Sequence, residues 1–495
     1  MTTKVVKGSL WTLAGQVAPL PVSLITTYFV IRMLGSEAYG VLILVGLIPT
    51  YFNFADFGMG LASTKFGSEA HAGGNPEKEA QVVRTAGLIA LIAAAPISIL
   101  IFVFSPTIAA LFNVPSTLLP EASLALRFAS VTFVVNFLNG IFNTPQLTRL
   151  RMELNTLVTS GFRIAGIITM PLVIYLGGGI IGAVTVLFIT ALATLLGHLW
   201  VSGRLLPQLF DITIDRSIIR PLLKFGGALA VSGIAATLLV NAEKGILTAT
   251  VSTAALAHYS VAFTLASMMA MFTTALTHSL LPAFSQLQSE EKRTQLNGLY
   301  TRGVRLNFIL LVPVTAGLLM IAKLFFTLWA GEEFGRESTL PFYLLAAGAG
   351  FNIVAALPHI SITAAGHTSV FAKLYWLELA PYAIVVWVLS STYGVAGAAA
   401  SWSIRVIVDC FIQFYLAKRI ANMEFVGGNL LDLSIASVMM FVPCIVVFFY
   451  GLSAVPIVVF AICFLVYCFV VWKRVLEKEE LLWFAQIIRI SNSKL

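Results

Sequence analysis

Apolar stretches of about 20 residues follow one another along almost the whole chain, separated by short polar connections. A helix rises about 1.5 Å per residue, so about 20 apolar residues cross a hydrocarbon core roughly 30 Å thick. No soluble domain needs many such stretches in series. The pattern predicts an all-α polytopic membrane protein with about 14 transmembrane helices. The first six spans are expected at 9–31, 38–62, 85–112, 122–145, 156–176 and 179–202. The next six are expected at 223–250, 254–283, 304–330, 340–365, 371–391 and 394–417, and two more at 434–452 and 454–472. Beyond Lys473, Leu481, Leu482, Phe484, Ile487 and Ile488 recur at helical spacing, so the tail 473–495 is expected to lie on the membrane surface.

Composition narrows the class. The chain has 495 residues, is 59% hydrophobic and only 11% charged, with a mean hydropathy of +0.94. An ordinary soluble protein is roughly 25% charged. The connections, none much above about 20 residues, leave no room for a soluble catalytic domain. The short segment before the first apolar stretch lacks a cleavage-site pattern, so that stretch reads as a retained helix. The net charge of +8 does not indicate nucleic acid, because the basic residues sit in the connections, where membrane orientation explains them. With the N-terminus in the cytoplasm, Lys and Arg in connections divide about 23 inside to 4 outside. Both termini are then cytoplasmic and the number of spans is even.

The two halves repeat each other. Gly179-Ile180-Ile181-Gly182-Ala183 opens span six, and Gly394-Val395-Ala396-Gly397-Ala398 opens span twelve, 215 residues on. Tyr39-Gly40 opens span two and Tyr259-Ser260 opens span eight. Each second span runs into a long charged connection, Lys65 to Arg84 and Gln286 to Arg305. Six spans per half give both halves the same topology, so the repeat is parallel. The expected organisation is an N-terminal six-helix lobe (1–203), a cytoplasmic linker (204–222), a pseudo-symmetric C-terminal lobe (223–420), two additional helices (421–472) and the tail. Two such bundles suit alternating access to a central cavity.

The opening residues carry a resemblance. Arg32-Met33-Leu34-Gly35, Tyr39-Gly40, Ala55-Asp56-Phe57-Gly58-Met59-Gly60 and Lys65-Phe66 resemble the start of Wzx-type polysaccharide flippases of the multidrug/oligosaccharidyl-lipid/polysaccharide exporter superfamily. The two glycine signals at 179 and 394 are similar to that family's as well. The resemblance covers the chain in topology and is densest in the first 70 residues. It implies a bacterial cytoplasmic-membrane protein that moves undecaprenyl-diphosphate-linked glycan from the inner to the outer leaflet. Its partners would be that glycan, membrane lipids and components of a polysaccharide polymerase. Two other readings stand beside it: an ion-coupled drug or cation antiporter of the same superfamily, and a membrane glycan polymerase. The polymerase would need a sizeable outer loop with acid or Arg catalysts, and the longest outer connection, around Lys323 to Leu340, is too poor for such a site.

Ionisable residues inside spans are few and costly in lipid, so each is a site candidate. Arg163 in span five and Arg405 in span twelve suit a diphosphate, because the guanidinium is planar and always charged. Asp409 lies one turn after Arg405 and offers a structural pairing instead. Lys244 beside Glu243 in span seven is a third cation for the substrate, or a snorkelling lysine. Asp56, Glu378 (the repeat position of Arg163), Asp409 and His359 are candidates for coupling or gating, as against local packing and pairing. His278 reads as a packing histidine, as His359 also does on the plainer view. No catalytic residue, cofactor or metal is expected. There is no Gly-rich Lys-Ser/Thr phosphate loop, and Cys410, Cys444, Cys463 and Cys468 have no metal-type spacing.

Overall fold

The computed structural model describes residues 11–211, 216–270, 284, 287, 290–367, 369–424 and 430–476. His278, much of the expected span 254–283 and the tail beyond Leu476 lie outside these. Among the described residues the chain is helical, and a helix lies within each of the fourteen apolar stretches. Eight helices are long and apolar enough to cross a membrane. Three of them, Trp11–Asp56, Met152–Leu205 and Ser369–Ile420, run 46, 54 and 52 residues. At 1.5 Å per residue that is roughly 70–80 Å, more than twice the hydrocarbon thickness.

Glycine solves this excess of length. Gly35 (φ 77°), Gly179 (φ 52°, ψ −146°) and Gly394 (φ 58°, ψ −131°) interrupt the three long helices in the left-handed half of φ space. An L side chain is strained there, so each glycine is a joint between two spans. Gly179 and Gly394 share almost the same backbone conformation, as the repeat leads one to expect.

The helices fall into two compact units. One holds Met1–His258 with Ala372–Gly394; the other holds Tyr259–Phe371 with Val395–Leu495. The first contains α1 (Pro19–Thr50), α2 (Met59–Ala72), α3 (Pro76–Val103), α4 (Ser105–Leu111), α5 (Leu119–Phe142), α6 (Thr144–Thr148), α7 (Met152–Val173), α8 (Gly179–Leu205) and α9 (Arg216–Thr250). Here α5 packs on α3 and α8, and α7 packs on α1 and α8. Val41, Leu44, Ile101, Leu126 and Ile180 form a fully buried core between them. Then α10 (Thr253–Met268) begins in this unit, its Thr253 carbonyl where a Cβ on Gly40 would stand. In the second unit α11 (Arg293–Ala330) precedes α12 (Glu332–Glu337) and packs on α13 (Thr339–Ala364) and α15 (Leu430–Tyr450). The long α14 (Ser369–Ile420) contributes to both units, and α15 packs on α16 (Ala454–Val470) around Val312, Met440 and Tyr467.

Span two differs from the expectation of a single helix over 38–62. It ends at Thr50, just after Pro49, whose missing N–H weakens the turn. A single 3₁₀ turn, Asn53–Asp56, follows, then Phe57 and Gly58 with φ of 50° and 64°, and α2 begins at Met59. The Asp56 carboxylate accepts the Gly58 N–H at 2.8 Å and so holds the residue that leads into the new helix. A hydropathy average does not register this break, because Phe52, Phe54, Ala55 and Phe57 offset Asn53 and Asp56. Neighbours lock it in place: a Cβ on Gly226 of α9 would lie 2.0 Å from the Phe57 carbonyl oxygen. Lys65 of α2 sits over the rings of Phe66 and Phe225, at 4.7 and 4.6 Å.

At the far end of α2 a buried carboxylate ties three helices. Glu79 of α3 is fully buried; Arg149 pairs with both its oxygens at 2.5 and 3.2 Å. Thr148 donates to it at 2.8 Å, and His71 Nδ1 lies 3.4 Å away. Removing one partner of a buried pair strands the other charge and costs about 3–5 kcal/mol. Arg149→Ala is therefore expected to lower the unfolding midpoint of the purified protein by several degrees; an unchanged midpoint would show that the pair contributes little. Gly226→Ala should force α9 off the break at Phe57. Expected is a lowered thermal midpoint of the purified protein; an unchanged midpoint would show that the close approach is dispensable.

Candidate functional site

A cavity of about 490 Å³ opens inside the first unit, bounded by the end of α1, α5, α7 and α8. Three patterns build its wall. On α5 and its C-cap, Thr132, Asn136, Asn139 and Asn143 recur at spacings of four, three and four, which places them on one side. On α8, Thr190, Thr194 and His198 recur every fourth residue and form a second polar stripe. Asn53 comes from the 3₁₀ turn that interrupts span two, so the helix break supplies a lining side chain.

The charge of this cavity is simple. Arg163 of α7 is the one Lys, Arg, Asp or Glu among the described lining residues. Its side chain forms no hydrogen bond or ion pair among the described residues. The other polar groups are neutral. Asn139 donates through Nδ2 to the Ala191 carbonyl at 3.2 Å, and Asn143 to Asn155 Oδ1 at 3.2 Å. The Oδ1 atoms of Asn139 and Asn143 are buried and accept nothing.

Beside the cavity, His198 joins three helices. Gln146 Nε2 donates to Nδ1 at 3.1 Å, so the ring carries its proton on Nε2, which meets Thr159 Oγ1 at 3.2 Å. Gln146 also donates to Ser202 Oγ at 3.1 Å, and Ser202 donates to the Phe142 carbonyl at 2.7 Å.

The remaining candidates lie apart from this cavity. Asp56 holds the residue that leads into α2. Glu243 is fully buried and accepts from the Tyr382 hydroxyl at 3.0 Å. Sequence neighbours point about 100° apart on a helix, which would send Glu243 and Lys244 to different faces. The long lysine chain bends back instead: Lys244 Nζ lies 3.9 Å from Glu243 and 3.3 Å from Asn241 Oδ1. Tyr51, just after α1, donates to the Asn241 carbonyl at 2.6 Å. Lys244 is thus half-buried with a carboxylate beside it, and it does not line the cavity that Arg163 lines. Glu378 lies one turn before Tyr382 on α14, half-buried, in the same unit.

In the second unit Asp409 is buried and its Oδ2 accepts from Gln413 Nε2 at 2.6 Å. The His359 ring stacks on Phe371 at 3.8 Å. Arg405 stands one turn before Asp409, half-buried. The 215-residue repeat maps Arg405, Asp409 and Gln413 onto Thr190, Thr194 and His198. Among the described residues no three His, Cys, Asp or Glu side chains are placed to hold a metal ion.

Sequence reasoning weighed the charges and passed over the amides. The signal was present in the Thr132, Asn136, Asn139, Asn143 spacing, a polar stripe at helical period inside an apolar span.

The profile of the polysaccharide biosynthesis protein family matches residues 5–288, more than half of the chain. The chain belongs to this family. A Shigella flexneri protein named for O-antigen transport is 22% identical over 435 residues, covering 84% of this chain and 99% of its own length. The fold is shared with solved transporters. The lipid II flippase MurJ in an inward closed conformation superimposes with a TM-score of 0.71 at 14% identity, over 94% of this chain and 98% of its own. An inward-facing multidrug resistance MATE family transporter of the MOP superfamily gives 0.68 at 13% identity, over 81% of this chain and 94% of its own. A Vibrio cholerae MATE transporter gives 0.57 at 17%, over 84% and 97%. These relatives are transporters and flippases, not enzymes, and the resemblance in the opening residues points to the same superfamily.

The buried hydrogen bonds of His198 generate a prediction of their own. His198→Leu leaves Gln146 and Thr159 short of a partner, at about 1–3 kcal/mol. The thermal midpoint is expected to fall, whereas His198→Asn should retain part of it; equal midpoints in the two variants would show that hydrogen bonding at this position is immaterial.

Proposed function

We propose that this polysaccharide biosynthesis family member is a flippase. It carries undecaprenyl-diphosphate-linked glycan from the inner to the outer leaflet of a bacterial cytoplasmic membrane. It does so by alternating access between the two halves of its repeat, with both termini in the cytoplasm. A polymerase on the outer side would consume the product.

The observation that carries the reading is Arg163: a guanidinium with no counter-charge among the described residues, in a cavity otherwise lined by amides, hydroxyls, an imidazole and apolar groups. A diphosphate is a natural partner for it, because charge-assisted and bidentate pairing with phosphate oxygens is the guanidinium's strongest interaction. The low dielectric around the cavity raises the value of that contact. A cation antiporter needs the opposite arrangement, acids facing the cavity. The MurJ-like fold and the O-antigen relative support the same reading. Arg405 and Lys244 are proposed as further anionic contacts along the cycle, and Asp56, Glu378, Asp409 and His359 as gating or coupling groups.

The test is equilibrium binding to the purified protein in nanodiscs, with undecaprenyl-diphosphate-linked sugar as ligand and a lipophilic phosphonium cation as comparator. The diphosphate lipid is expected to bind. Arg163→Ala should weaken it about tenfold or more, and Arg163→Lys less. Cation binding that protons compete away, with no lipid binding, would move the protein to the drug-antiporter branch.

A further inference from the structure

A phosphate needs only Arg163; the rest of the cavity asks for a different ligand group. Asn53 and Asn136 are exposed at its surface; each offers two donors, and the Asn136 Oδ1 already accepts a long bond from Asn139 Nδ2 at 3.5 Å. Asn139 and Asn143 keep their Nδ2 groups tied to the protein and leave Oδ1 acceptors without a donor. These two Oδ1 atoms are enclosed, so a ligand in the cavity meets the exposed Asn53 and Asn136 first. The edge-to-face pair Phe133 and Phe137, with centroids 4.5 Å apart, lines the same cavity and adds an apolar surface. The wall carries no carboxylate. A ligand complementary to it is rich in hydroxyl or acetamido groups, uncharged, with an apolar face, and attached to an anion.

Within the flippase reading, on which this step rests, we propose that the asparagine face of α5 together with Asn53 is a sugar subsite. It holds the uncharged ring next to the diphosphate while Arg163 holds a phosphate. Neutral amides serve here better than the acids common in sugar sites, since a carboxylate would repel the diphosphate that must come with the sugar. The volume of about 490 Å³ falls in the range of roughly 300–1,000 Å³ usual for small-molecule sites. It suits the first residues of a glycan rather than a long chain. The subsite therefore reads the reducing-end sugar, and the distal glycan is left unread by this wall.

The experiment uses the full-length protein in nanodiscs and two probes: undecaprenyl diphosphate without sugar, and the same lipid carrying one N-acetylhexosamine. Variants are Asn53→Ala, Asn136→Ala, the double variant, Asn136→Gln and Arg163→Ala, each checked for an unchanged melting midpoint. Asn53 and Asn136 are exposed, so their truncation leaves no buried group unpaired. The double variant is expected to weaken the sugar-bearing lipid about tenfold and to move the sugar-free lipid by less than about twofold. Asn136→Gln should recover part of the loss, and Arg163→Ala should weaken both lipids. If the asparagine variants leave the ratio of the two affinities unchanged while both lipids bind, the subsite is refuted and the flippase reading stands. If phosphatidylglycerol displaces both probes equally well, the cavity takes a phosphate headgroup and the subsite is likewise refuted. If neither probe binds the unaltered protein, the flippase reading fails and takes the subsite with it.

Discussion

In hydrocarbon a backbone amide without a partner costs several kcal/mol, because no water is available to replace the lost bond. Everything in this chain answers to that constraint. It explains why the described residues are almost wholly helical and why the exceptions are so restricted. The interruption at Thr50–Met59 is the informative exception. Pro49 removes a donor, the Asp56 carboxylate takes up the Gly58 N–H, and the turn projects Asn53 into a polar cavity. Irregular backbone at membrane depth is tolerated where it is enclosed by protein or lines a water-filled space. The break and the cavity are thus one feature. The motif that contains Asp56, Phe57 and Gly58 is the local chemistry that makes such a break affordable.

Charges obey a parallel rule. Glu79 is buried and answered by Arg149, Thr148 and His71; Glu243 is buried and answered by Tyr382 and Lys244. Such groups are already committed to holding helices together, and their full worth is consumed by their desolvation. Arg163 differs because no described residue neutralises it and the cavity keeps it accessible. At 4 Å and an effective dielectric of 20, a unit charge pair is worth about 4 kcal/mol. A site that leaves such an interaction unused in its empty state can apply it to a ligand. This distinction, between charges consumed by the fold and a charge left for use, separates the candidates better than their depth in the membrane does.

Much of the architecture was legible in the sequence, and the reason is the same constraint. Twenty-residue apolar stretches have few alternatives to helix, and Gly179 and Gly394 marked equivalent joints that the backbone angles then matched. The candidate site was legible only in part. Arg163 stood out because a charge in a span is rare. Asn53, Asn136, Asn139, Asn143, Gln146 and His198 did not, because a neutral amide costs far less in a span and carries no such alarm. The break in span two was invisible for another reason: Phe57 and Gly58 read as apolar, and hydropathy is blind to φ. Pairings such as Tyr382 with Glu243, 139 residues apart, depend on packing that no local pattern encodes.

The fold by itself cannot decide what is carried. The same helical scaffold underlies a lipid II flippase and multidrug transporters, so the decision falls to the side chains on a few helix faces. The repeat allows those faces to be compared within one molecule. On α8 the cavity stripe is Thr190, Thr194 and His198, hydroxyls and a hydrogen-bonded imidazole. At the matching positions on α14 it is Arg405, Asp409 and Gln413, a cation, a buried carboxylate and an amide. Two copies of one helical hairpin, each opened by a glycine in the same conformation, therefore present opposite chemistry: one neutral and suited to hydroxyl-rich ligands, the other charged and suited to exchanging protons or ion-pair partners. A transporter whose halves were interchangeable would need matching faces. The divergence of these two faces fits the proposal made above, in which Arg163 of the first unit meets the diphosphate and Asp409 of the second is a candidate for coupling.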